Sequence, residues 1–253
     1  MDGGRIVAIT AESVKYRDGA TPLTGYMVCD DGQSGRRPGV LVFHGGAGLD
    51  DHARGRARQI AALGYVAFAC DMYGDGVAGD RERIMTAIAG LRADRAGLAG
   101  RALAALYVLA SHPDVNGRLG AVGYCFGGMT VLEAAREGAP LAGVVSVHGT
   151  LATAQPASPG SIRAKILVCH GALDPHVPTA QVTAFADEMR DAAADWQLIV
   201  YGGAMHGFTH EHADPARTPG VAYHAPSDAR SSVAIRAFFA EVFGGSFSEG
   251  AVA

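Results

Sequence analysis

The stretch Gly123-Tyr124-Cys125-Phe126-Gly127-Gly128 lies between an apolar, strand-like run (residues 119–122) and a helix-like run (residues 129–136). Small residues on both sides of Cys125 allow a sharp strand-to-helix turn that holds the thiol at its tip. This is the nucleophile-elbow pattern G-x-S-x-G, with cysteine in the place of serine. The first N–H groups of the following helix favour a thiolate on that cysteine. A tight turn around a buried, inert cysteine is the alternative. A dinucleotide site is not favoured, because the G-x-G-x-x-G spacing is absent.

The composition is that of a soluble globular enzyme with a sizeable core: 49% of the 253 residues are apolar and 18% are charged. The net charge of −4 gives no reason to expect nucleic acid or an anionic membrane surface as a partner. The four cysteines form no CxxC pair, so neither a zinc knuckle nor a disulfide framework is predicted. Neither a signal core nor a bilayer-spanning apolar run is found, and a cytoplasmic location is expected.

Apolar runs typical of buried strands alternate with helix-like segments along the whole chain. The predicted strands are residues 5–9, 23–29, 39–43, 65–70, 119–122, 141–147, 165–169 and 196–200. The predicted helices are residues 51–63, a long segment from Asp80 to about Ala110 with a break, 129–136, 178–193, and a last helix capped by Ser227. This alternation predicts an α/β fold with a doubly wound, mostly parallel sheet and helices on both faces. Residues 1–243 are predicted to form one domain and residues 244–253 a loose tail.

Two further residues complete a nucleophile–base–acid set in the order typical of α/β-hydrolases. Asp174, in Gly171-Ala172-Leu173-Asp174-Pro175, follows a predicted strand, and His206, in Met205-His206-Gly207-Phe208, follows another. The carboxyl ends of parallel strands meet at one edge of a sheet, so we expect these side chains to converge with Cys125. Alone, Asp174 could be a turn residue before proline and His206 a surface histidine; their joint order and placement favour catalysis.

Acyl transfer also requires N–H donors for the oxyanion that forms at the attacked carbonyl. One predicted donor is the N–H of Phe126, directly after the nucleophile. The other is expected in the loop after an early strand, His44-Gly45-Gly46, where we favour the N–H of Gly46 over that of Gly45. A plain glycine turn is the alternative for this loop. His44 is predicted to be a hydrogen-bonding residue rather than a base.

The elbow motif with cysteine, the order Cys125, Asp174, His206 and the stretch Asp71-Met72-Tyr73 together resemble the dienelactone hydrolase family. The resemblance covers about residues 5–243 and implies an α/β-hydrolase fold and hydrolysis of esters or lactones without cofactor or metal. It implies an acyl-thioenzyme route in which Cys125 attacks, His206 is the base and Asp174 orients the imidazole.

The sequence departs from the family pattern at two places. The family glutamate that helps to generate the thiolate corresponds here to Gly45. Of the two arginines that hold a substrate carboxylate in the family, one corresponds to Arg83, 42 residues before Cys125, and the other to His210, four residues after His206. Arg83 could equally be a solvated charge at a helix start. With Tyr73 and His44, these two residues form the predicted substrate-binding set, for an ester, lactone or thioester that need not be a dienelactone.

Two other classes of function stay open at this point. One is a thiol redox protein that uses Cys125, although no resolving cysteine lies nearby in the sequence. The other is a catalytically quiet, hydrolase-fold binding protein. A metal site is not expected, because His210-Glu211-His212 lacks the i, i+4 histidine pair of helical zinc sites. The predicted partner is a small-molecule ester or lactone, and the predicted state is a monomer or small homo-oligomer.

Overall fold

The computed structural model describes residues 8–74 and 76–244. Their eight strands form one mostly parallel sheet, and helices alternate with the strands along the chain, which confirms the predicted α/β class. The strands are β1 (Ile9–Asp18), β2 (Thr21–Asp30), β3 (Arg37–Phe43), β4 (Val66–Cys70), β5 (Val115–Tyr124), β6 (Gly143–Val147), β7 (Lys165–Gly171) and β8 (Trp196–Tyr201). The helices are α1 (Asp51–Ala62), α2 (Arg81–Ala93), α3 (Arg95–Ala110), α4 (Phe126–Arg136), α5 (Thr179–Asp191) and α6 (Ala225–Phe243).

The chain forms two compact units, residues 1–121 and 122–253, and β5 runs from the first into the second. The single domain over residues 1–243 stays a prediction. The predicted tail begins at Gly244, which ends α6 in the left-handed conformation, and its residues 245–253 lie outside the described part of the chain.

In the first unit, β2 pairs antiparallel with β1 and with β4, whereas β3 and β4 are parallel. The prediction of a first strand at residues 5–9 was wrong in extent, because β1 begins at Ile9 and continues to Asp18. Residues 5–7 lie outside the described residues. Most side chains of β1 are exposed, so this strand lacks the apolar alternation by which a half-buried strand is recognised.

Aspartate side chains begin each helix of the first unit. Asp50 accepts a hydrogen bond from the N–H of Ala53 at the start of α1, and Asp80 accepts one from Arg83 at the start of α2. The predicted break in the long helical segment lies at Asp94, whose carboxylate accepts from the N–H of Gly97 and caps α3. The long segment is therefore interrupted because Asp94 begins a second helix. No helix among the described residues has the length and apolarity to cross a membrane.

In the second unit, β6, β7 and β8 are parallel, α4 packs on β6, and α6 packs on β6 and β7. Every residue of α4 is buried, which fixes the helix that follows Cys125. The prediction that Ser227 caps the last helix was wrong: α6 begins at Ala225 and its N-cap is His224. Pro226 fits the first turn of α6, where a missing N–H costs no helical hydrogen bond, so the helix begins before the serine.

A buried ion pair holds the far end of α4. The guanidinium of Arg136 binds both carboxylate oxygens of Glu188 on α5, at 2.8 and 2.7 Å, and also Glu133 at 2.8 Å. It further donates to the carbonyl of Leu151 at 2.9 Å. Because all of these partners are satisfied, the buried charge is compensated and α4 is tied to the segment that follows β6.

Candidate active site

The nucleophile elbow has a strained backbone and glycines that no other residue could replace without movement. Cys125 has φ 53° and ψ −110°, an unusual conformation for a residue other than glycine. A Cβ on Gly123 would lie 2.0 Å from the carbonyl oxygen of Gly127, and one on Gly128 would lie 2.8 Å from the Cα of Gly149. The glycines of the motif are therefore required by close backbone approach within the turn and to the end of β6.

Gly123→Ala is expected to destabilise the protein by about 3 kcal/mol or more, because the atoms that its Cβ would meet are backbone atoms of the elbow. Urea unfolding followed by circular dichroism measures the change in the free energy of unfolding. Gly55→Ala is the matched control: Gly55 lies within α1 with nothing within 4 Å of the new Cβ. Here we expect a gain of about 0.5–1 kcal/mol. Equal stability of the two variants would contradict the packing argument.

Two hydrogen-bond contacts of His206 link three side chains of the second unit. His206 Nε2 lies 3.0 Å from the sulfur of Cys125, and His206 Nδ1 lies 2.8 Å from Oδ2 of Asp174. Cys125 is half-buried at the start of α4, Asp174 follows β7 and His206 follows β8. The imidazole thus bridges thiol and carboxylate, which is the arrangement that a nucleophile, a base and an orienting acid require.

Asp174 also shapes its own turn. Its second oxygen, Oδ1, accepts from the backbone N–H of His176 at 2.8 Å, two residues further on. The turn-forming role that the sequence offered as an alternative is therefore present together with the bond to His206. Because both oxygens are engaged, the carboxylate is held rigidly toward the imidazole.

The charges of this set stabilise a protonated imidazole. Burial lowers the pKa of His206, but the hydrogen bonds and charges of Asp174 and Cys125 outweigh burial and raise it to about 10. For the Asp174 carboxyl the effects have the opposite signs. Burial raises its pKa, but the hydrogen bond and charge of His206 outweigh burial and hold that pKa below its ordinary value. The bond to Asp174 therefore favours a protonated imidazole beside an ionised carboxylate.

Two histidine rings that the sequence analysis did not assign to the site lie beside His206, and a phenylalanine ring packs on one of them. His148 and His176 have ring centroids 5.4 and 5.1 Å from it, and Phe208 lies against His148 at 5.1 Å. His148 follows β6, and the strand-end rule that selected Asp174 and His206 places it at the same edge of the sheet without giving it a role. No sequence signal marks His176 or Phe208 as neighbours of the imidazole.

The segment between His206 and α6, residues 207–224, folds back on His206. His206 accepts from Ala222 N–H and donates its own N–H to Gly220, both at 3.1 Å, and His224 N–H donates to Phe208 at 3.0 Å. The inner part of the segment is buried, whereas residues 214–219 are exposed. Hydrogen bonds on both sides thus fix the backbone of His206.

In the first unit, His44 and Tyr73 hold the glycine loop that follows β3. His44 is buried, which lowers its pKa below the ordinary value, and its Nε2 accepts from Met72 N–H at 3.1 Å. Its Nδ1 therefore carries the proton and donates to the carbonyl of Gly45 at 2.7 Å. The Tyr73 hydroxyl donates to the carbonyls of Gly45 and Gly46 at 3.3 and 3.4 Å. His44 is thus a hydrogen-bonding residue, and the peptide before Gly46 is fixed in orientation.

The two residues that correspond to the family arginines lie in different units. Arg83 is exposed on the first turn of α2, and its guanidinium donates to the carbonyl of Gly76 at 2.7 Å. His210 is half-buried, and its ring lies 6.3 Å from that of His212. Binding of a substrate by Arg83 or His210 stays a prediction. Within residues 8–74 and 76–244, no group of three or more His, Cys, Asp or Glu side chains is placed to hold a metal ion.

The mostly parallel sheet, the strained elbow and the side chains at the strand ends define an α/β-hydrolase. The model of the dienelactone hydrolase family matches residues 23–243. The chain belongs to this family of hydrolases.

Relatives in sequence and in structure agree with this assignment. The chain is 38% identical to an uncharacterized protein of Caenorhabditis elegans over 60% of its length and 99% of the relative. It is 31% identical to a probable 2-oxo-3-(5-oxofuran-2-ylidene)propanoate lactonase of Bradyrhizobium over 76% of this chain and 81% of that protein. It is 45% identical, with a TM-score of 0.90, to the crystal structure of a dienelactone hydrolase-like promiscuous phosphotriesterase from metagenomic libraries. That match covers 94% of this chain and 100% of the other.

Proposed function

We propose that this protein hydrolyses carboxylic esters and lactones, without a cofactor, through an acyl-thioenzyme formed on Cys125. The observation that carries the proposal is the pair of contacts at His206, 3.0 Å to the sulfur of Cys125 and 2.8 Å to the carboxylate of Asp174. Family membership supports the same reaction class, and so does the similarity to a lactonase.

The thiolate is generated here without the family glutamate, whose place is taken by Gly45. His206 can take the thiol proton directly, because its Nε2 is within hydrogen-bond distance of the sulfur and its pKa is raised to about 10. The N-terminus of α4 adds a partial positive charge close to Cys125. A resting thiolate–imidazolium pair therefore needs no further base.

The reaction proceeds in two steps. The thiolate attacks the carbonyl carbon, and the tetrahedral intermediate expels an alkoxide that takes the proton of the His206 imidazolium. In a lactone this alkoxide stays in the same molecule as the acyl group. Neutral His206 then removes a proton from water, the hydroxide attacks the thioester, and the thiolate leaves with the acid as product. Thiolate and imidazolium are both restored, so no other reactant is consumed.

The oxyanion of both steps needs donors, and the N–H of Phe126 and of Gly46 are our candidates. Phe126 opens α4 directly after the nucleophile, and His44 and Tyr73 fix the peptide that carries the Gly46 N–H. Arg83, His210, Tyr73 and His44 remain the candidates for binding the rest of the substrate. His210 stands where the family has a permanently charged arginine. Neutral esters and lactones therefore fit the site as well as substrates that carry a carboxylate.

Phosphotriesters are a second candidate substrate class. The similar promiscuous phosphotriesterase covers almost the whole chain at 45% identity. The same thiolate could attack phosphorus and expel an aryl oxide, and water would then release a phosphodiester from the sulfur. An activated diethyl aryl phosphate tests this reaction beside an aryl ester; a phosphotriester rate no faster with the enzyme than in buffer would exclude it.

The two other classes of function are less favoured. A thiol redox protein needs a resolving thiol, and Cys169, in the same unit, is buried with a pKa raised to about 12 by burial. A catalytically quiet binding protein does not require an imidazole that contacts both a thiol and a carboxylate, as His206 does.

The acyl-thioenzyme can be trapped and located. The protein is mixed with an activated aryl ester, quenched in acid and digested, and the peptides are weighed. We expect the acyl group on the peptide that contains Cys125, at a yield that falls after hydroxylamine treatment. Cys29→Ala is the control, because Cys29 is partly exposed and lies in the first unit; it should be acylated like the wild type. Turnover with no acylated Cys125 at any time point would exclude the proposal.

A further inference from the structure

His148 stands out in the second unit because its backbone is strained and its side chain is buried. It has φ 41°, which is uncommon for a residue other than glycine, and its residue exposure is 3%. Its N–H donates to the carbonyl of Cys169 at 2.8 Å, so the backbone is fixed between β6 and β7. Strain of this kind persists where the surrounding structure holds it, and it is concentrated at functional sites.

The hydrogen bonds of the His148 ring define its protonation. The backbone N–H of Cys125 donates to Nδ1 at 3.1 Å, and a backbone N–H can only donate. Nδ1 is therefore an acceptor without a proton. Nε2 carries the proton and donates to the hydroxyl oxygen of Thr209, at 2.9 Å. The ring is neutral and in a single tautomer, and it connects the amide of Cys125 to the segment that follows His206.

From these contacts we infer that His148 is a positioning residue for the nucleophile, and that Thr209 selects the tautomer that allows it. The inference rests on the proposed role of Cys125. The Cys125 N–H is shared between His148 Nδ1 and the carbonyl of Val147, at 3.1 and 3.0 Å, which orients the peptide before the strained nucleophile. That orientation keeps the sulfur within hydrogen-bond distance of His206.

Protonation of His148 would undo this arrangement. A proton on Nδ1 would face the Cys125 N–H, donor against donor. The added charge would also lie beside His206, whose ring centroid is 5.4 Å away and which is protonated in the proposed resting state. Cys125 and Tyr124 are further titratable groups at the ring, the latter with a ring centroid distance of 6.1 Å. Thr209 has 1% residue exposure, so water is not a ready substitute for its hydroxyl.

Paired variants at Thr209 test the inference. Thr209→Val keeps the shape but removes the acceptor for Nε2–H; Thr209→Ser keeps the hydroxyl and loses a methyl group. We expect Thr209→Val to lower kcat roughly tenfold to hundredfold with KM within about twofold, and Thr209→Ser to stay near the wild type. A purely packing role predicts the opposite: both variants lose thermal stability, and kcat of the folded protein is unchanged. Wild-type kcat in Thr209→Val, or equal losses in both variants, would overturn the inference.

A second pair tests His148 itself. His148→Asn places an oxygen near the position of Nδ1 and tolerates positive φ, whereas His148→Phe keeps a ring without an acceptor. We expect the asparagine variant to retain more activity than the phenylalanine variant. The rate at which iodoacetamide alkylates Cys125, measured against pH, needs no substrate: Thr209→Val should slow alkylation at neutral pH and move its apparent pKa upward. An unchanged alkylation profile would overturn the inference. Failure of the proposed function would instead appear as wild-type turnover after Cys125 is blocked.

Discussion

Cys125→Ala is expected to lower kcat for an activated aryl ester by roughly a thousandfold or more, because it removes the only protein atom that forms a bond to the acyl group in the proposed route. Substrate binding should persist, since the alanine leaves His206 and Asp174 in place. Initial rates over a range of ester concentrations give kcat and KM. The Kd of a non-hydrolysable substrate analogue, compared between the variant and the wild type, shows whether substrate binding persists.

Two controls make this result specific to the sulfur. Cys29→Ala removes a partly exposed thiol of the first unit and should leave kcat unchanged. Unfolding in urea should show that Cys125→Ala remains fully folded, because the alanine adds no atom to the elbow and leaves its backbone unchanged. A variant that is fully folded and retains more than about a tenth of the wild-type kcat would remove Cys125 from the mechanism.

Asp174→Asn is expected to lower kcat by about 10²- to 10⁴-fold and to move the alkaline limb of the pH–rate profile to lower pH. In the wild type, the hydrogen bond and charge of Asp174 help to raise the pKa of His206 to about 10, so the imidazolium persists well above neutral pH. The amide retains an acceptor but no charge, so the pKa of His206 falls and the thiolate–imidazolium pair is lost earlier as pH rises. The profile of kcat/KM between pH 5 and 11 measures the shift.

The stability of Asp174→Asn should change with pH in a defined direction. The pKa of His206 is raised on folding above its ordinary 6.5, so its protonation stabilises the folded state fully below about pH 6.5 and less as pH rises toward about 10. The stability difference between wild type and variant should therefore shrink across that window. Asp187→Asn, in an exposed pair with Arg190, removes the same charge and should leave the alkaline limb unmoved. An alkaline limb common to all three proteins would exclude the proposed role of Asp174.

Much of the architecture follows from local sequence signals. Buried parallel strands such as β3 and β4 are continuous apolar runs, and each is bounded by glycine or a polar residue. The elbow motif led to Cys125 and the strand-end rule to Asp174 and His206, and the structure places His206 within hydrogen-bond distance of the other two. Their catalytic roles, and those of Phe126 and Gly46, stay predictions that the variants above test.

The differences from the sequence analysis have physical causes that local patterns do not contain. Strand β1 is mostly exposed, so polar residues occupy it and its pairing with β2 decides its length. The start of α6 depends on His224, which is an uncommon N-cap. The strained His148 and its bond to Thr209 arise from contacts between residues 61 positions apart. No helical or strand periodicity records such a pairing.

The fold-back of the segment after His206 has a consequence for engineering. The bonds from His206 and Phe208 to Gly220, Ala222 and His224 form an anchored stem, and the exposed residues 214–219 form its outer turn. Loop grafts or randomised libraries confined to that turn would leave the stem intact. Insertions within the stem, by contrast, would displace the His206 imidazole from the Asp174 carboxylate.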